Sequence, residues 1–315
     1  MYISSCPLRI SLFGGSTDNP VFIDKYKYGS VISFTCNLKT YITLHQDLIG
    51  YNVDGGYYII NYSQREEVKN ISDIKNDPIR VVLDYFKISP VNISMTSDAY
   101  SQGSGLASSS SYIISLIKAI SLMKRIDLND IQICNLAHKL ELKFNPYCGY
   151  QDPYGCGIGG FKRIEFEKGG IIKYNFIESN IFDFFDIHLV FTGVVRDSIA
   201  ILKKVTSNID KSIALLPILD QAYEELIKNN YDNFIALIKK SWDQKKKSSN
   251  YILKNQILKD LDNYLSENET VKAHKLCGAG NGGFFLVFSE KNKLNIKLKS
   301  VKISVESAGM SGRLL

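Results

Sequence analysis

A two-domain α+β fold is predicted by three features of the sequence. The first half carries short runs of β-branched and aromatic residues separated by Gly, Asn and Pro clusters, with helical spacing between some of them. From Asp197 onward helical patterns dominate, and strands return only near the end. A length of 315 residues also exceeds what one ordinary hydrophobic core holds. A boundary near residue 185 therefore divides the chain into 1–185 and 186–315.

The elements follow in order. Tyr2 to Phe13 reads as a strand that breaks at the turn-rich cluster Gly14 to Pro20. Val31 to Leu44 holds one or two strands, and Tyr57–Asn61 and Val91–Met95 are short ones. Ile79 to Phe86 has apolar residues at helical spacing. A small-residue loop, Gly103 to Ser111, runs into a helix over Tyr112–Met123. A second helix is expected from Leu128 to Phe144, with Asn145-Pro146 as its stop. Strands follow at Phe161–Phe166, Ile171–Tyr174 and Ile187–Thr192. Helices are expected over Lys211–Lys228, Tyr231–Lys247 and Ile257–Leu265. The chain closes with strand Ala273–Cys277, a glycine loop at Gly278–Gly283, strand Phe284–Ser289, a short Lys-rich helix, and a last strand near Val301–Val305.

Composition narrows the function. An apolar fraction of 45% with 22% charged residues is that of an ordinary globular chain. No apolar run is long enough to span a bilayer, and Met1 to Cys6 shows neither a basic nor a long apolar signal region, so no membrane partner and a cytoplasmic location are expected. Six dispersed cysteines without a Cys-x-x-Cys pair are expected to stay reduced, and four scattered histidines form no metal-ligand spacing. The net charge of +6 suits small acidic molecules. Lys245-Lys246-Lys247 lies on an expected helix, where a solvated basic face is the ordinary role, and no nucleic-acid partner is expected.

The stretch Gly103-Ser104-Gly105-Leu106-Ala107-Ser108-Ser109 is the first candidate site. Glycines let a ligand approach the main chain, and the unpaired N–H groups at a helix start favour an anion. A phosphate cradle and a serine-capped helix start both fit this loop alone. Asp152, in the glycine-rich run Cys148 to Gly160, is the second. A carboxylate there can act as a base, and an Asp followed by Pro153 can equally cap a helix. The Gly278–Gly283 loop is longer than a two-residue hairpin requires, which points to close packing against something.

Taken together, Pro7-Leu8-Arg9 with Gly14-Gly15-Ser16-Thr17-Asp18, then Gly103 to Ser109, then Lys275 to Phe284, resemble in order and spacing the GHMP small-molecule kinases, the family of galactokinase, homoserine kinase, mevalonate kinase and phosphomevalonate kinase. The four-serine run, Gln151-Asp152, Gly159-Gly160-Phe161 and Ser241-Trp242 are similar to its heptose-phosphate branch. The resemblance implies an N-terminal ribosomal-protein-S5-like domain and a C-terminal ferredoxin-like α/β domain. It also implies ATP and Mg²⁺ as cofactors and a small-molecule sugar or sugar-phosphate substrate phosphorylated on its anomeric hydroxyl. A galactose-like or mevalonate-like acceptor, or a silent binding module, are the alternatives. Oligomeric state is not readable.

The family's site residues carry over by position. Gly103, Ser104, Gly105, Leu106, Ala107, Ser108 and Ser109 would hold the triphosphate, with Ser109 and Glu141 toward Mg²⁺. Glu141 lies eleven residues before Asp152, in the middle of the expected second helix. Asp152 would be the base, supported by Arg9. The acceptor side would comprise Gly14, Gly15, Ser16, Thr17 and Asp18, with Gly278, Gly280 and Gly282. Arg9 as a surface strand residue and Asp18 as a turn residue before Asn19-Pro20 are the structural alternatives. Arg196, Lys203 and Lys245 are candidates for a substrate phosphate. Ser101-Gln102, Ala107, Asn281, Pro153 and Gly155 depart from the family pattern, and the last two affect where the base would sit.

Overall fold

The structure, a computed structural model, describes residues 1–46, 56–100, 103–195 and 198–315. In chain order the elements are β1 Tyr2–Phe13, α1 Pro20–Tyr26, β2 Tyr28–His45, β3 Tyr58–Asn61, β4 Arg65–Val68, α2 Asp77–Phe86, β5 Asn92–Ser97, α3 Ser108–Lys124, α4 Asp130–Glu141 and α5 Gln151–Gly157. They continue as β6 Phe161–Glu167, β7 Ile171–Phe176, α6 Ile181–Phe184, β8 Phe185–Phe191, α7 Ser198–Thr206, α8 Leu216–Ile227, α9 Tyr231–Ser248, α10 Gln256–Glu267, β9 Ala273–Leu276, β10 Phe284–Glu290, β11 Ser300–Ile303 and β12 Ser311–Leu314. Short 3₁₀ turns occupy Ile71–Asp73 and Ile209–Leu215.

Among the described residues the strands form two sheets, as an α+β chain with two sheet layers requires. The first is ordered β12-β1-β2-β5-β3-β4 and branches at the long β2. The first part of β2, Tyr28–Phe34, pairs with β6, and its last part, Thr40–His45, pairs with β5. The second sheet is ordered β11-β8-β10-β9, with every pairing antiparallel. Numbered within that sheet this is 4-1-3-2, the order of a ferredoxin-like split βαβ unit.

Three apolar clusters fill the layers. One joins the α3 and α4 side of the first sheet. The second lies between the two sheets, where Leu8, Ile10 and Leu12 of β1 meet Leu286 and Phe288 of β10 and Phe234 of α9. The third covers the far face of the second sheet, with Phe285, Val287, Trp242 and Leu258. Alternation along β10 explains the split, since successive side chains of a strand point to opposite faces.

Helix α3 is bound to the first sheet by polar pegs as well as by Ile113, Ile114, Ile117 and Ile120. The Ser4 hydroxyl donates to the Ser115 carbonyl at 2.6 Å and the Ser111 hydroxyl to the Cys6 carbonyl at 2.9 Å. Small serines on this face let the helix approach closely while the Ser4 and Ser111 hydroxyls keep partners.

Several expectations need correction. Helix α3 starts at Ser108, four residues before Tyr112, so the serine run belongs to its first turn. Helix α4 stops at Glu141, not Phe144. Beyond it, Lys143 and Phe144 donate to Leu140 and Glu141, three residues back, and that tightening closes the helix. The Lys211–Lys228 helix is two pieces, a 3₁₀ turn and then α8 with Pro217 in its first turn. The Lys-rich helix after β10 is absent. The backbone N–H groups of Asn292, Asn295 and Lys297 donate to the Asp186, Thr270 and Tyr264 side chains, so the segment is held in place without a helical ladder. Strands β4 and β12 were not expected. β12 pairs with β1 through Tyr2–Leu314 to Ser5–Ser311, so the chain end returns to the first sheet.

Candidate active site

Strand β1 sets the geometry. Its pairing with β2 shifts register between Pro7 and Arg9, as a β-bulge does, and the Arg9 N–H donates to Leu106 instead, at 3.2 Å. The Arg9 side chain is 5% exposed. Its Nε and Nη2 donate to one Asp152 oxygen at 3.0 and 2.6 Å, and Nη1 donates to the Gly105 carbonyl at 2.6 Å. One guanidinium thus ties the Gly103–Ser109 loop to the carboxylate of Asp152. Arg9 is not a surface strand residue.

Asp152 is the second residue of α5, inside the helix, and Tyr150 occupies the cap position. The Asp-Pro cap alternative therefore does not apply. Asp152 keeps 31% of its side chain exposed toward the cleft, unlike the nearly buried acids around it. Gly155 is what lets α5 pack here, because a Cβ would meet the Arg9 side chain at 3.2 Å.

Asp18 clasps the two loops together. It accepts from Ser16 N at 3.1 Å and from Gln151 N at 3.0 Å, while its carbonyl accepts from Tyr150 N. A Cβ on Gly149 would collide with its carboxylate. Burial, helped by the negative charge of Asp152, pushes the Asp18 pKa up to about 6.

The 103–109 loop reaches α3 through Ala107, which adopts φ +63, a left-handed conformation unusual for alanine. The helix has no side-chain cap, so the first N–H groups of a 17-residue helix are not used by a capping residue. Ser104 and Ser108 hydroxyls bond each other at 3.0 Å. Behind the loop Glu141, the last residue of α4, is 3% exposed and accepts from the Ser110 hydroxyl. Burial raises its pKa to about 7 against the bonds from Ser110 and Ser109. Ser110, read from the sequence only as part of the small-residue loop, thus belongs to this cluster.

The third glycine loop closes against the second. Gly283, at φ +92, packs so tightly on the Ser104 and Gly103 carbonyls that no Cβ fits. Gly278 lines the cleft, while Gly280 lies against Ile252 and Asn281 N donates to the Ile252 carbonyl at 2.7 Å.

These parts surround a cleft of about 360 Å³. Its wall includes Gly14, Gly15, Ser16, Asp18, Gly103, Ser104, Gly105, Ala107, Ser108, Ser109, Glu141 and Asp152, together with Lys245 and Gly278. Thr17 does not line it: its buried hydroxyl faces the Gly14 and Ser30 carbonyls, both at 2.8 Å. Gly280, Gly282 and Leu106 are likewise off the wall. Lys203 is exposed away from it, and Arg196 lies outside the described residues. Leu202, Val205, Thr206, Ile209 and Leu215 form the remaining side, which no motif had marked. Gln151, Asn19, Cys148 and Lys275 were also missed as wall residues. A single lysine inside the apolar strand Ala273–Cys277 was the one readable signal among them.

The fold is that of the GHMP kinases, and the chain is similar to members of that family in sequence as well. The model of the GHMP kinases N terminal domain matches residues 76–160. D-glycero-alpha-D-manno-heptose 7-phosphate kinase of Campylobacter jejuni is 29% identical over 94% of this chain and 91% of its own. Among solved structures, a D-glycero-D-manno-heptose 1-phosphate kinase from Bacteroides thetaiotaomicron superposes with a TM-score of 0.74 at 21% identity, covering 100% of this chain and 99% of that one. Galactokinase of Lactococcus lactis, complexed with galactose, gives 0.75 at 14% identity, over 98% and 94% of the two chains.

Proposed function

We propose that this chain transfers the γ-phosphoryl group of ATP to the anomeric hydroxyl of a sugar phosphate, with D-glycero-D-manno-heptose 7-phosphate as acceptor and its 1,7-bisphosphate as product. The observation that carries the reading is the Arg9 bridge, which joins the carboxylate of Asp152 to the carbonyl of Gly105 in the loop before α3. The 29% identity to the Campylobacter jejuni heptose-phosphate kinase supports the acceptor.

In this reading the N–H groups of the 103–109 loop and the α3 start bind the triphosphate. Asp152 accepts or orients the acceptor hydroxyl proton, and Arg9 holds its carboxylate in place. Asp18 and the Gly14–Ser16 turn hold sugar hydroxyls. The donor set fits Mg²⁺, which prefers oxygen ligands and few protein groups. Glu141 and a serine hydroxyl at the start of α3, Ser109 or its neighbour Ser110, would hold the ion. When bound, it would neutralise charge on the phosphates. Because burial raises the Glu141 pKa to about 7, its carboxyl would have to give up a proton to hold the ion.

Purified protein incubated with MgATP and a panel of sugars and sugar phosphates, read by ADP release, tests the proposal. Turnover of the heptose 7-phosphate well above galactose and mevalonate supports it. Preference for an unphosphorylated acceptor removes the substrate assignment, and nucleotide binding without any turnover removes the catalytic one.

A further inference from the structure

Two lysines among the described residues are almost wholly buried, and they are satisfied in different ways. Lys162, on β6, has no exposed surface. Its Nζ donates to the carbonyls of Gly155, Gly159 and Gly160 at 3.2, 3.3 and 3.3 Å. An ammonium has three N–H donors, so this one is saturated. Lys162 lies off the cleft wall, and burial pushes its pKa down to about 7. It joins the end of α5 to β6, a structural role.

Lys275, on β9 of the second sheet, is 5% exposed and lines the cleft. Among the described residues its Nζ has one acceptor, the Leu12 carbonyl at 2.6 Å, and no carboxylate within ion-pair distance. Leu12 lies just before the Gly14–Ser16 turn of the acceptor side. Burial, with a further push from the cationic Arg9, lowers the Lys275 pKa to about 8. Arg9 already has Asp152 as its counter-charge, whereas among the described residues Lys275 has no carboxylate partner.

A buried ammonium with free donors and no counter-ion is strongly unfavourable unless something in the cleft completes it. Three carbonyl dipoles do so for Lys162. For Lys275 the open side is the cleft, where an anion with oxygen acceptors would complete it. Lysine suits that task as a compact point charge for phosphate.

We propose that Lys275 is a ligand-contacting residue whose ammonium binds a phosphoryl oxyanion in the cleft, either the terminal phosphoryl of the nucleotide or the phosphate of the acceptor. The inference rests on the phosphotransfer reading above. It adds a contact from the second sheet to a group that the 103–109 loop holds from the first, so that ligand binding spans both sheets.

Lys275→Met and Lys275→Arg, with Lys162→Met as the structural comparison, separate the cases. Binding of ADP, of a β,γ-imido ATP analogue and of the sugar 7-phosphate is measured with Mg²⁺, and KM is compared for the sugar with and without its phosphate. A nucleotide contact weakens the imido analogue about tenfold, the scale of one charge-assisted hydrogen bond, and leaves ADP unchanged. An acceptor contact raises KM for the sugar phosphate by a similar factor and leaves that of the free sugar unchanged. Either result, with recovery in Lys275→Arg, supports the inference. Lys162→Met should lower the melting temperature without changing any of these ratios. If Lys275→Met fails to fold, Lys275→Gln keeps a donor for Leu12 and is read in the same way. Unchanged ratios in a folded, neutral Lys275 variant overturn the inference, as does an equal shift in Lys162→Met. Wild-type protein that binds no MgATP sinks the phosphotransfer reading itself, whereas wild-type turnover with unchanged ratios in the variant sinks only the role of Lys275.

Discussion

The two sides of the cleft are built from different materials. The side from Gly103 to Ser109 is mostly main chain. It has glycine and alanine in left-handed conformations, an uncapped helix start, and a second glycine loop seated on its carbonyls. The side formed by Leu202, Val205, Thr206, Ile209 and Leu215 is made of side chains from α7 and the turn after it. Main-chain walls bind a group that is the same in every reaction of a kinase family, and they tolerate few substitutions because the backbone itself must take unusual conformations. Side-chain walls can be exchanged one residue at a time without disturbing the fold. In the proposed function, nucleotide recognition falls to the first side and acceptor choice to the second.

The comparison breaks most readily at the junction. Asp152→Asn should lower kcat by about 10²- to 10⁴-fold while leaving affinity for a non-hydrolysable ATP analogue unchanged. Near-normal turnover would remove Asp152 from catalysis. On the main-chain side, Gly283→Ala forces a Cβ against Ser104 and should cost about 1–3 kcal/mol in stability, with weaker nucleotide binding in the fraction that folds. Thermal unfolding and calorimetric titration read both.

Glu141 sharpens the same side through pH. Its pKa is raised from 4.5 to about 7, so between those values the folded apo-protein binds more protons than the unfolded chain. The Glu141 contribution to stability therefore falls as pH rises through that window. Mg²⁺ binding should weaken about tenfold for each pH unit below 7, because the ion needs the ionised carboxylate. Glu141→Gln should remove this slope. Lys162 and Lys275 act with the opposite sign at higher pH, so the difference between wild type and Glu141→Gln isolates the carboxylate.

On the side-chain wall, Leu202→Ala should raise KM for the acceptor several-fold, up to about tenfold, with nucleotide affinity unchanged. An equal effect on both ligands would show that the two sides are not separable. The smallest effect is expected far from the cleft. Asn129 caps α4 in a reciprocal box with Gln132, at 2.9 Å in both directions. Its change to Ala should cost about 1 kcal/mol in stability and leave kcat untouched.

How much was readable follows the same division. The three glycine-bearing segments announce themselves because positive φ and close backbone approach demand specific residues at specific places. Gly103, Gly105 and Gly283 could be read for that reason. The wall from Leu202 to Leu215 could not, since apolar residues on a helix look the same whether they face a core or a ligand. Lys275 was visible in an apolar strand, but not its lack of a counter-charge. Ser110 looked like any helical serine until Glu141 was placed beside it.

By itself the sequence determined the α+β layering, the strands β1, β2, β6 and β10, and the residue types that phosphoryl transfer needs. These depend on local periodicity and on backbone conformations that few residues adopt. Only the tertiary structure decided that β12 returns to β1, that the segment after β10 is held by side chains instead of forming a helix, and that Arg9 joins two loops distant in the chain. Each of these depends on partners more than twenty residues away, where hydrogen bonds and buried charges are satisfied by whatever the fold brings near, and no local pattern records that choice.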